Sequence, residues 1–244
     1  MEENMELLTI LILSLVLIAT LVVLLGFNIK NLKLIKQIGE SKELNKITDA
    51  LPKNEQVCRE ILKMLKNENV NIKIGDSNTK TSLYIVATNS ILIANIKNTF
   101  TRIQTIAHEC IHSAQDKRLL WFNFIFSNIY LLYFGITLIL AFFNKLPEPN
   151  IFAIVLIMMS FLLYFVRSYL EIVAMTKARY LAKEYMESNM ELISQEKIDT
   201  VIENYDRLNE VGVKFYCFNL MFNYLTKVII FCLIVSLGAF FYGS

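Results

Sequence analysis

Residues 107–115 read AHECIHSAQ, and they hold both histidines of this 244-residue chain. His108 and His112 stand four positions apart, with Glu109 beside the first. On an α-helix that spacing stacks two imidazoles on one face, one turn apart, where both can reach a single ion at about 2.0 Å. Glu109 falls about 100° round the same helix, off the coordination corner but within reach of a water held by the ion. That is the placement a general base requires. The reading depends on a helix running through the stretch. Thr101 and Gln104 have the spacing of a capping box, so a helix is predicted from there to about Lys117.

Working outward from the motif, the apolar period upstream is two. Residues 70–74 (VNIKI), 82–87 (SLYIVA) and 90–95 (SILIAN) read as strands, the last two joined as a hairpin across Thr88 and Asn89. Before them, NEQVCREILKMLKN reads as an amphipathic helix capped by Asn54, with Val57, Ile61, Leu62 and Leu65 on one face. The preceding segment, 28–50, is basic at helical spacing, a linker whose lysines either rest against anionic headgroups or are solvated.

The chain is 55% apolar, with 7 Gly and 3 Pro, and carries more hydrophobic surface than a soluble domain of this length buries. It reads as a membrane protein. Four apolar stretches, 7–27, 120–143, 151–169 and 220–242, each approach the roughly 20 residues that cross a hydrocarbon core about 30 Å thick. The first opens on MEENMELL, acidic where a secretory signal is basic, and is read as a retained anchor. Fifteen of the 24 Lys and Arg lie between the first and second spans, and most of the rest follow the third. Cationic loops stay on the cytosolic side, so both long polar segments are expected there. The basic residues are interleaved with acids, which excludes a nucleic-acid footprint. Cys58, Cys110, Cys217 and Cys232 show no C-x-x-C spacing and are expected as free thiols. After the third span, residues 171–212 read as two helices leading into the last one.

Two histidines leave zinc short of a third protein ligand, with a further position open for water. Cys110 falls on a different face of the helix and Asp116 points elsewhere. Glu171 sits at the end of the third span, and the NKLPEPN turn returns it to the histidines' side of the membrane. His112 is farther from that turn than Glu171, so the assignment requires a kink or break between about residues 113 and 120. An unbroken helix would favour Glu184. Arg167, four residues before Glu171, is read either as its ion-pair partner or as a side chain that orients it.

HECIHSAQ, then paired spans, then EIVAMTKA, resembles the membrane-bound neutral zinc metallopeptidases of the YugP-like family, whose pattern is HExGHAxQ followed by two spans and a glutamate with alanines three and seven positions on. His108, Glu109, His112 and Gln115 match the first motif; Glu171, Ala174 and Ala178 match the second. Ile111 stands where the family has Gly. A more distant resemblance is to the HtpX-like membrane peptidases. The resemblance implies one Zn2+ held by His108, His112 and Glu171, with Glu109 as catalytic base. The implied activity is hydrolysis of peptides or membrane proteins at the cytosolic face of a prokaryotic plasma membrane. Gln115 is expected to orient a ligand or touch substrate. By analogy with other H-E-x-x-H peptidases, the strand Ile91, Leu92, Ile93 and Ala94 is expected to take an extended substrate as an added strand. A non-catalytic metal-binding protein, a sensor or transporter element, is the alternative. The expected fold is a mainly α membrane protein. It comprises an anchor (1–28), a small α+β zincin-like cytosolic region with a short hairpin and the motif helix (29–118), a transmembrane hairpin (119–170), cytosolic helices carrying the third ligand (171–218), and a last transmembrane helix (219–244).

Overall fold

A computed structural model describes residues 2–25, 29–39, 41–76, 79, 81–94 and 99–242. The chain divides into two compact units, one comprising Met1–Phe27, Phe122–Ser168 and Lys214–Ser244, the other Asn28–Trp121 and Tyr169–Val213. Four helices are long and apolar enough to cross a membrane: α1 (Glu2–Leu24), α6 (Lys117–Phe142), α7 (Pro149–Glu187) and α8 (Gln195–Tyr242).

In the first unit the helices bury Tyr130, Leu156, Leu163, Val228 and Phe231 against one another. Large apolar side chains also face outward, among them Leu132, Met158, Phe165 and Phe240. A helix unit that is apolar inside and out belongs in lipid, where the backbone must satisfy its own hydrogen bonds. A Cβ at Gly238 would clash with the carbonyl oxygen of Ala141, so α8 meets α6 backbone to backbone, as small residues permit. Asn128 donates to the Phe124 carbonyl of its own helix.

The second unit packs helices on a small sheet. α2 (Ile29–Gly39), α3 (Lys42–Ile47) and α4 (Asn54–Met64) lead into β1 (Asn71–Ile74), β2 (Leu83–Ile85) and β3 (Ser90–Ile93), followed by α5 (Arg102–Ala114). α4 buries Val57, Cys58, Ile61 and Leu62, and α5 buries Ile103, Ile106, Ala107 and Cys110. The two helices pack on each other, and each aliphatic side chain so buried contributes roughly 1.5–3 kcal/mol. Arg102, 5% exposed, donates to the carbonyls of Thr48, Leu51 and Pro52 and to Asn54 Oδ1, tying the segment before α4 to the start of α5. All four cysteines are free, as the spacing predicts.

Several local expectations are corrected. Asn54 does not cap α4; its side-chain oxygen is taken by Arg102, and the extended Lys53 holds the cap position. The capping box at Thr101 and Gln104 does not form. Thr101 is already helical (φ −73°, ψ −7°) and makes no side-chain cap bond, while the Gln104 amide donates to Asn209 at 2.7 Å on α8. The two polar helices after the third span are continuations of spans, since α7 and α8 run unbroken for 39 and 48 residues.

The hairpin is part of a three-stranded sheet in the order β1-β3-β2, with β1 parallel and β2 antiparallel to β3. The chain turns from β2 to β3 through a single 3-10 turn and Asn89, which is left-handed at φ 43°. This order overturns the assignment of Ile91, Leu92, Ile93 and Ala94 as a substrate-binding edge. β3 is the central strand and is paired on both sides, and the Ala94 N–H is taken by Ser82 Oγ at 3.0 Å. A strand with both edges paired has no ladder left to offer.

Candidate metal centre

α5 ends at Ala114, Gln115 is extended (φ −70°, ψ 166°), and α6 starts at Lys117, so the helix breaks where the assignment of Glu171 requires it. His108 and His112 then meet Glu171, not Glu184, whose side chain lies exposed farther along α7.

His108, His112 and Glu171 form a group compatible with a metal ion, the only such group of His, Cys, Asp and Glu among the described residues. The two Nε2 atoms are 3.0 Å apart, and Glu171 Oε2 lies 3.3 Å from that of His108 and 3.5 Å from that of His112. Ligands about 2.0–2.1 Å from a tetrahedral zinc stand about 3.3 Å from one another, so the donor atoms already have the spacing of three corners. The rings are edge to face, with 87° between their planes, each presenting the same nitrogen inward. The three side chains are 12–22% exposed, sheltered but open on one side.

Gln115 fixes the tautomer. Its Oε1 lies 2.8 Å from His112 Nδ1 and its Nε2 donates to the Leu170 carbonyl at 2.7 Å. With the amide oriented by that carbonyl, Nδ1 carries the proton and Nε2 presents its lone pair. Of the two roles expected for Gln115, this geometry supports orienting a ligand. Ala174 and Ala178, on the Glu171 face of α7, are both fully buried, which lets neighbouring elements approach the helix closely. Asn209 joins three helices by accepting from Gln104 of α5 and donating to the Met175 carbonyl of α7 at 3.4 Å.

Glu109 is 7% exposed, and its Oε2 accepts the backbone N–H of Tyr84 on β2 at 2.6 Å. Burial raises its pKa, against the opposing pull of the two histidines and of that N–H. Burial alone would lower the pKa of His112, but the bonds to Glu171 and Gln115 outweigh it and raise the value. Lys117 Nζ donates to the Tyr84 hydroxyl at 2.6 Å and to the Ser113 carbonyl at 2.8 Å, holding β2 against the end of α5. The Tyr84 hydroxyl also donates to Asn89 at 2.8 Å. Arg167 belongs to the other unit, where its Nε donates to the Tyr216 hydroxyl at 3.2 Å.

Sequence reasoning did not find the Tyr84 N–H, the Leu170 carbonyl or Asn209. The first two are main-chain groups that no side-chain pattern marks, and Asn209 is one polar residue in a charged helix. No family model, curated protein or solved structure matches the chain.

Proposed function

We propose that the chain is a membrane-embedded zinc-dependent endopeptidase in which His108, His112 and Glu171 hold one zinc ion and Glu109 is the general base. The observation that carries this reading is the convergence of two imidazole nitrogens and a carboxylate oxygen at 3.0–3.5 Å, with a buried glutamate adjacent in sequence. The HECIHSAQ and EIVAMTKA patterns support it. A zinc ion so held supplies Lewis acidity, lowering the pKa of a water toward about 7 and polarising a peptide carbonyl.

The protein's own groups do the rest. Glu109 accepts the water's proton on one carboxylate oxygen while the Tyr84 N–H holds the other, and it returns the proton to the leaving amine. A raised pKa makes its carboxylate a stronger base toward the water than an ordinary one. Gln115 keeps His112 in the ligating tautomer. β2 is an edge strand whose outward N–H at Tyr84 is already spent on Glu109, so its role is to hold the base in place. Substrates are peptides or membrane proteins cut at the cytosolic membrane surface, a placement that rests on the distribution of Lys and Arg.

The test is cleavage of a quenched peptide by purified protein, with and without a chelator, beside Glu109→Gln. Chelator should abolish turnover. Glu109→Gln should retain metal and lose roughly 10²–10⁴-fold in rate. Metal-bound wild-type protein that cleaves nothing in a broad peptide library would favour a binding protein without turnover.

A further inference from the structure

Two side-chain bridges join the helices that carry the ligands, and His108, His112 and Glu171 lie between them. At one end Gln115, three residues past His112, donates to the carbonyl of Leu170, the residue before Glu171. At the other end Gln104, four residues before His108, donates to Asn209 Oδ1 at 2.7 Å. Asn209 Nδ2 donates in turn to the carbonyl of Met175, four residues past Glu171, at 3.4 Å. The bridges are met in opposite order along α5 and α7, so they bracket all three ligands.

Positions four apart share a helix face. Gln104 therefore lies on the His108 and His112 face of α5, and Met175 on the Glu171 face of α7, each one turn from a ligand. Asn209 comes from a third helix, α8. An amide offers an acceptor and donors at fixed angles, and this one, half-buried, turns its acceptor to α5 and a donor to α7. Gly212, three residues past Asn209, lets α8 come close at this point, since a Cβ there would stand 3.3 Å from Met175 Cε.

Other contacts fasten α8 independently. Asp206 accepts from Arg179 Nη2 of α7 at 2.6 Å, and Tyr205 stacks on Phe100, ahead of α5, and donates to its carbonyl. With the helices held by these, Asn209 is left to set the spacing of α5 against α7 at the centre itself, where metal–ligand distances tolerate only about 0.2 Å. We infer, on the reading of His108, His112 and Glu171 as zinc ligands, that Asn209 is a positioning residue for the centre. It holds the histidine face of α5 at the distance from Glu171 that zinc requires.

The test uses full-length protein in detergent. Zinc affinity is measured by competition with a chromophoric chelator, and the geometry of the site is read from the visible absorption of the cobalt-substituted protein. Asn209→Ala should bind zinc about tenfold more weakly, the low end for groups that orient metal ligands, and should shift the cobalt bands while the metal-free protein melts close to wild type. Gln104→Ala should do the same. The double variant should be no weaker than either single one, because the two residues act through one bond. Asp206→Ala, whose partner Arg179 lies two turns past Glu171, should leave affinity and cobalt bands unchanged. Wild-type affinity and bands in Asn209→Ala would overturn the assignment and leave the zinc reading standing. Equal losses in Asp206→Ala would overturn it by showing general helix packing, and additive losses in the double variant by showing that Asn209 does not act through Gln104. Wild-type protein that binds no zinc would be a different failure, removing the metal centre together with this role.

Discussion

The amide of Gln115 donates to the carbonyl of Leu170 at 2.7 Å, joining the residue that ends the motif helix to the residue immediately before Glu171. The same side chain accepts from His112, so one glutamine sets both the orientation of a ring and the position of the carboxylate that faces it.

Removing that link should loosen the centre without emptying it. Gln115→Ala should weaken zinc binding about 10–100-fold, the usual cost of losing a group that orients a metal ligand. Competition with a chromophoric chelator measures this, and affinity equal to wild type would show that the link does not position the ligands.

The Tyr84 backbone separates two contributions. Tyr84→Pro removes the N–H that holds Glu109, while Tyr84→Phe removes only the hydroxyl bonded to Asn89 and Lys117. The proline variant should retain zinc and lose on the order of 10²-fold in kcat, the scale of one misplaced catalytic group. The phenylalanine variant should stay within a fewfold of wild type. Equal losses in both would assign the effect to the hydroxyl and its bonds to Asn89 and Lys117, the one group that both variants lack.

Acid should release the metal over a defined range. The pKa of His112 lies above its ordinary 6.5 in the metal-free protein because Glu171 and Gln115 stabilise the proton despite burial. A raised value contributes stability below pH 6.5 that is lost as pH rises through it. Zinc binding requires the proton to leave and therefore strengthens over the same rise. Thermal melts between about pH 6 and pH 8 should show the His112 contribution falling without zinc, and the stabilisation by added zinc growing. Zinc stabilisation independent of pH would contradict His112 as a ligand.

Much of the site was legible in the sequence because its rules are local. An i, i+4 spacing places two imidazoles on one helix face, and four apolar stretches of spanning length mark four helices. Glu171 followed from topology, since the turn at residues 143–148 returns α7 toward the histidines, and the break needed at Gln115 is present. What failed depended on partners distant in sequence. Gln104 left its cap for Asn209, Asn54 was claimed by Arg102, and β3 became central because β1, some twenty residues earlier, paired along its other edge. A period of two identifies a strand but not its neighbours.

The most direct measurement is the zinc content of three purified proteins, wild type, Glu171→Gln and Glu184→Gln. One zinc per chain in wild type and in Glu184→Gln, with little or none in Glu171→Gln, is the predicted result. Full occupancy in Glu171→Gln would contradict the account, because the carboxylate 3.3 Å from His108 and 3.5 Å from His112 would then not be a ligand.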